Sequence, residues 1–175
     1  LSLFDGAGSG TGNFVADNFL AAAYNNSDGN SLWGTNWTET GDDNVATTGK
    51  ILVANNQLQI GGVAGTPSIF RQVNLSAAGV NPLSLTTATF SFNWGRVGGP
   101  VGTVIVEVSA NGGTTYTTLD TLTAASAVGA RSYNITTSIA ANTRVRFRNS
   151  AGLTAANAFF FFDSIQIADA GGALT

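Results

Sequence analysis

The sequence contains no cysteine, no methionine and no histidine. Without cysteine there is no disulfide framework and no thiol nucleophile, and without histidine there is no His-based triad, no His general base and no His/Cys zinc site. Charge is scarce as well: Asp, Glu, Lys and Arg make up 10 % of the chain, against about 25 % in an average globular protein. Lys50 is the single lysine, and the net charge of −3 leaves no basic surface to release phosphate counterions, which excludes nucleic acid as a partner. No run of about 18 apolar residues is present, so no segment reads as membrane-spanning. The chain opens at Leu1 without the basic region and apolar core of a secretory signal, and it reads as a mature protein or as a piece of a longer one.

What is present is apolar, small and uncharged-polar. Hydrophobic residues make up 43 % of 175, with 11 phenylalanines and 22 glycines. Such a chain buries one sizeable core, and its low charge and high aromatic content exclude disorder. Residues 1–13 join a short apolar piece (Leu1, Leu3, Phe4) to a Gly-rich spacer, residues 14–168 form the body, and residues 169–175 are a small-residue tail.

Period-2 patterning runs through the body. Ile51 and Val53 stand against Leu58 and Ile60, with Asn55-Asn56 as the turn between them. Ile69, Arg71, Val73 and Leu75 share one phase, as do Ala88, Phe90, Phe92 and Trp94, and Val104, Val106 and Val108. Val145 and Phe147 alternate with Arg144, Arg146 and Arg148, which form a stripe on the opposite face. Turn signals recur about every ten residues, so the class is all-β, a sandwich or barrel. The one helix candidate, Val15–Tyr24, reads at least as well as extended chain, because Asn and aromatic residues interrupt its alanines.

Three stretches carry a resemblance: NWTETGDD (36–43), VEVSANGGTTYTTL (106–119), and RVRFRNS followed by FFFFDSIQI (144–167), with RQVNLS (71–76) and SFNW (91–94) between them. Their order resembles the jelly-roll modules of large secreted bacterial surface proteins, over residues 14–168. The resemblance implies a jelly-roll β-sandwich in an extracellular or cell-surface setting, among adhesin segments, spacers and carbohydrate-binding modules. Two positions depart from that pattern, Asn111 where Asp is usual and Tyr116 where Trp is usual. The stretch Ser109–Tyr116 is also similar to the Asp-box hairpin of sialidases, a structural turn there.

Asp163 falls in one phase with Phe159, Phe161, Ile165 and Ile167. A carboxylate on an apolar face needs a partner. The resemblance implies structural Ca²⁺ at Asp163, with Asp17, Asp28, Asp42 and Asp43 as co-ligands; backbone amides or an arginine are the alternative partners. Hard oxygen donors of this kind suit Ca²⁺ and not a transition metal. Among the tryptophans, Trp94 and Trp37 read as core, while Trp33 follows a Gly/Asn/Ser loop and is the candidate for an exposed sugar-stacking ring. Glu107 reads as cross-strand paired, and the arginine stripe as a solvated face, or else as a contact for acidic groups of a neighbouring subunit or for an anionic glycan. With Glu39 and Glu107 the only glutamates, no catalytic set is evident, and the chain is not expected to be an enzyme.

Two functions follow. The first is a self-associating subunit of a surface fibre, sheath or adhesin, a homo-oligomer or polymer in which Leu1, Leu3 and Phe4 add a strand to a neighbour. The second is a calcium-dependent carbohydrate-binding module with a polysaccharide partner.

Overall fold

In the computed structural model of the chain, residues 12–61, 65–99, 102–151 and 157–170 are described. Eleven strands succeed one another: β1 Phe14–Asp17, β2 Thr38–Thr40, β3 Ile51–Ala54, β4 Gln57–Gly61, β5 Ser68–Val73, β6 Thr89–Val97, β7 Thr103–Ser109, β8 Thr117–Thr123, β9 Gly129–Asn134, β10 Thr143–Ala151 and β11 Phe159–Ala168. A single 3₁₀ turn, Thr136–Ser138, is the only helical element among the described residues. The Val15–Tyr24 segment is therefore extended and then bends; its Phe19 takes a left-handed φ of 51° that no helix tolerates.

Two antiparallel sheets face each other. One has the order β3-β4-β11-β6-β9, with β1 also on β11; the other has the order β2-β5-β10-β7-β8. The alternation read from the sequence sets which side chains fill the space between them. Phe90, Phe92 and Phe162 of the first sheet meet Phe147 of the second, with ring centroids 6.2, 5.3 and 4.2 Å from Phe147. Ile51 pairs with Ile60 and Val53 with Leu58 across the β3–β4 hairpin, and all four are buried. The turn between them places Asn55 at φ 54° and Asn56 at φ 57°, the paired positive values of a type I′ turn.

Strand β11 is where the sandwich closes. Its first half, Phe159–Phe162, pairs with β4; its second half, Ile165–Ala168, pairs with β1; β6 runs along the other edge. The register against β6 shifts between Asp163 and Gln166, and Ser164 there has φ 51°, so one extra residue is bulged out at the handover. The bulge reverses the phase of the strand. Phe160 and Phe162 point inward before it, and Ile165 and Ile167 after it. Asp163 therefore does not share a face with Ile165 and Ile167, as strict alternation predicts; it is half-buried on the outer side with Phe159 and Phe161.

The inward phase of β5 carries a charge. Arg71, 2 % exposed, donates through Nη1 to Asp17 Oδ2 at 2.7 Å, and Asp17 is fully buried. Asp17 also accepts from Trp37 Nε1 at 2.9 Å and from the Phe19 amide at 2.8 Å. The Arg71 guanidinium lies over the rings of Trp33 and Trp37, at 4.8 and 5.7 Å from their centroids. Burial pushes the Asp17 carboxyl up and the Arg71 guanidinium down to about 10, and their mutual attraction opposes both shifts. Removing either partner would strand the other in the core, which makes the pair a strong constraint on how β1 meets β5.

Candidate functional site

The arginine stripe builds the most chemically equipped surface of the described residues. Because Val145 and Phe147 point inward from β10, Arg144, Arg146 and Arg148 must point outward, and antiparallel register aligns their neighbours. Arg146 stands between Phe70 on β5 and Glu107 on β7; Phe70 is next to Thr38 on β2, and Glu107 next to Thr118 on β8. This row crosses all five strands, about 19 Å at the usual strand spacing.

The charged groups of the row and its flanks are held in place. Glu107 is 4 % exposed and accepts from Arg146 Nε at 2.7 Å and from Arg148 Nη2 and Nε at 2.9 and 3.2 Å. Burial pushes its carboxyl up, but the hydrogen bonds from Arg148 and Arg146 outweigh that and hold it below its ordinary value of 4.5. The carboxylate is thus charged at neutral pH, and the cross-strand pairing read from the sequence is present. The Arg146 guanidinium carbon lies 3.5 Å from the Tyr116 ring centroid, and that of Arg144 lies 4.4 Å from the Phe70 ring centroid. Arg144 also donates through Nε to Gln72 Oε1 at 2.9 Å.

The hairpin resembling an Asp box positions two of these groups. Ser109 Oγ accepts from the amides of Asn111 and Gly113, and Asn111 Oδ1 accepts from the Thr115 amide, which closes a rigid loop. Gly113 has φ 89°, and a Cβ there would fall 2.8 Å from Arg144 Nη1 and 2.9 Å from Tyr116 Oη. Glycine at 113 lets the loop backbone rest directly on the arginine and the tyrosine. Beyond Gln72, at the end of the face, a cavity of about 220 Å³ is lined by Gly34, Gln72, Asn74, Val80, Asn81 and Ala141. Asn74 shapes it, donating from Nδ2 to the carbonyls of Ala78 and Val80.

Flat stacking surfaces alternating with fixed donors and acceptors are what a sugar needs: apolar C–H faces to lie on a plane, and hydroxyls to meet preorganised hydrogen-bond partners. The opposite outer face, on the six-stranded sheet, carries Phe159 and Phe161, the latter resting on Gly95, where a Cβ would fall 2.3 Å from the ring. No arginine–carboxylate pair is described on that face.

The expected sugar-stacking residue is corrected. Trp33 is 6 % exposed, donates through Nε1 to the Ala16 carbonyl at 3.1 Å, and covers Arg71. The loop before it is polar, yet a buried guanidinium recruits aromatic faces, and Trp33 supplies one. The sequence reading missed Phe70 and Gln72 as surface groups; the signal was their phase opposite Ile69, Arg71 and Val73.

The five aspartates do not form one donor set. Asp17 faces Arg71 inside the sandwich, while Asp163 sits on the outer side of β11 and accepts from the Ser164 amide at 2.6 Å. Burial raises the Asp163 carboxyl, and that amide bond opposes the rise. Asp28 caps the Asn18 amide at 2.8 Å. Asp42 accepts from the Ile51 amide at 2.7 Å, and Asp43 from the Val45 amide at 2.9 Å and the Thr48 hydroxyl at 2.7 Å. Asp42 and Asp43 do gather with Glu39, with carboxylate oxygens within 4.8 Å of one another. Those oxygens are engaged by the turn's own amides and by the Tyr24 hydroxyl. Leu1, Leu3 and Phe4 lie outside the described residues.

No protein-family model and no curated protein matches the chain. Solved structures do. A glutamate-to-arginine variant of a family 29 carbohydrate-binding module aligns with 93 % of this chain and 97 % of its own, at TM-score 0.55 and 10 % identity. The C-terminal family 22 carbohydrate-binding module of Clostridium thermocellum Xyn10B aligns with 94 % of this chain and 98 % of its own, at TM-score 0.53 and 17 % identity. An aspartate-to-alanine variant of a family 29 module covers 87 % and 84 %, at TM-score 0.53 and 10 % identity. At these identities the likeness is one of fold: the chain is a jelly-roll β-sandwich similar to those carbohydrate-binding modules.

Proposed function

We propose that this chain is a non-catalytic carbohydrate-binding module of a secreted or cell-surface protein, taking an extended polysaccharide across the outer face of the five-stranded sheet. One observation carries the reading: the in-register row Thr38, Phe70, Arg146, Glu107, Thr118, flanked by Tyr116, Arg144 and Gln72, on a sandwich that shares its fold with such modules. Bidentate guanidinium–carboxylate geometry and ring–guanidinium stacking fix these groups before a ligand arrives, so little ordering entropy is lost on binding.

The proposal assigns no step to calcium; the Asp17 carboxylate accepts from Arg71, Trp37 and the Phe19 amide. The reading as a self-associating fibre subunit rests on Leu1, Leu3 and Phe4, outside the described residues, and the fold adds nothing to it. Affinity electrophoresis through gels containing soluble polysaccharides, with and without EGTA, tests the binding reading. At least one polysaccharide is expected to retard the protein equally in both conditions. Tyr116→Ala is expected to weaken retention about tenfold or more while the fold persists. Retention by none of a broad panel, neutral and acidic, would overturn it.

A further inference from the structure

The charge on this face is at odds with the rest of the molecule. The whole chain carries −3 and has 7 cationic side chains in total. Three of them, Arg144, Arg146 and Arg148, stand in line on one strand face, and the acidic residue among them is Glu107. The other acidic groups of these five strands point elsewhere: Glu39 inward to Tyr24, and Asp120 to Arg131 and Tyr133. The face is thus two charges positive within an acidic protein.

Glu107 satisfies Arg146 and Arg148 but not Arg144, which has no carboxylate partner among the described residues. Arg144 is nevertheless built in. Gln72 holds its Nε, Phe70 lies under its plane, and the Gly113 backbone packs against its Nη1 side. A solvated surface arginine has none of these restraints; a pre-aimed fork with its Nε already occupied presents its terminal N–H groups to an oxyanion. Gln72, which positions it, also lines the 220 Å³ cavity at the end of the face.

We propose that the ligand is an acidic polysaccharide built of uronic-acid sugars, with Arg144 receiving a ring carboxylate and the Phe70–Arg146–Glu107 row, with Tyr116 beside it, receiving the adjoining sugar. This rests on the carbohydrate-binding reading above and adds the charge of the ligand. The test is titration calorimetry and affinity electrophoresis of the full chain against polygalacturonate and alginate, with xylan, galactomannan and a soluble cellulose derivative as neutral probes and dextran sulfate as a non-carboxylate polyanion.

Binding to a uronate polymer at least tenfold tighter than to any neutral polymer is expected, weakening as salt is raised from 50 to about 500 mM. Arg144→Gln is expected to lose about tenfold to hundredfold in uronate affinity, and Arg144→Lys to recover part of it, since the charge returns without the fork. Both variants are expected to keep a cooperative melt, losing only the contacts Arg144 makes with Gln72 and Phe70 on the sheet surface. Tighter binding to a neutral polymer, with Arg144→Gln unaffected, would overturn the acidic-ligand proposal and leave the carbohydrate-binding reading standing. Equal binding of dextran sulfate and uronate polymers would reduce the face to unspecific charge attraction and also overturn it. Binding to no polymer would overturn both.

Discussion

Glu107 holds two arginines of the neighbouring strand, and its depressed carboxyl makes that arrangement testable by pH. A carboxyl whose folded value lies below its unfolded one binds fewer protons in the native state near that range. Its contribution is present above the ordinary 4.5 and is lost as pH falls through the folded value. Asp17, Glu39 and Asp163 are raised, so their linkage has the opposite sign, but they are common to parent and variant and cancel in the difference. Glu107→Gln is therefore expected to be less stable than the parent at pH 7 and to converge toward it as pH falls below 4.5 and through the folded value. Thermal unfolding across that range checks this, and a constant gap would remove Glu107 as the titrating group. That Glu107 is cross-strand paired was legible in the sequence, since it alternates with Val106 and Val108; that its partners are Arg146 and Arg148 was not, because the strand pairing is non-local. Nor was the pairing of Asp17 with Arg71: alternation places Arg71 with Ile69 and Val73, but no local pattern reveals a partner 54 residues away. Trp33 was misjudged for the same reason, because its burial answers to Arg71 and not to its own polar loop.

Elements were legible wherever period 2 holds and failed where one residue breaks it. In β11 the run of four phenylalanines followed by Asp, Ser and Ile looks continuous, and the bulge at Ser164 is what separates the pairing with β4 from the pairing with β1. The extra residue has a consequence for deletions. Removing Ser164 would restore strict alternation with every inward side chain, Phe160, Phe162, Ile165 and Ile167, still inward. Removing Gln166 would turn Ile167 outward, and losing the burial of one isoleucine costs about 1.5–3 kcal/mol. The Gln166 deletion is thus expected to unfold at a clearly lower temperature than the Ser164 deletion, as measured by circular dichroism melts. Equal losses would show that the bulge itself, and not the inward phase, holds β11 in place.

For the whole molecule, the proposed binding face and the strand that stabilises it are on different sheets and far apart in sequence. Phe70, Gln72, Glu107, Tyr116 and the three arginines all precede Ala151, whereas β11 pairs with β1, β4 and β6 and joins Phe14 to Ala168. A chain ended after Ala151 would keep every residue of the proposed site and all five strands that carry it. It would also leave β6 without its main partner, expose the Phe147 cluster that Phe162 covers, and open an unpaired edge on a hydrophobic sheet. Sheets of this kind are held by non-local pairing and form late and together. The truncated chain is therefore expected to show neither dispersed amide resonances nor a cooperative melt, and to be retained by no polysaccharide that retains the full chain. Cooperative unfolding of the truncated chain would mean that the five-stranded sheet is stable alone. The fold read from the sequence would then be two units and not one, with β11 an accessory to binding and not its scaffold.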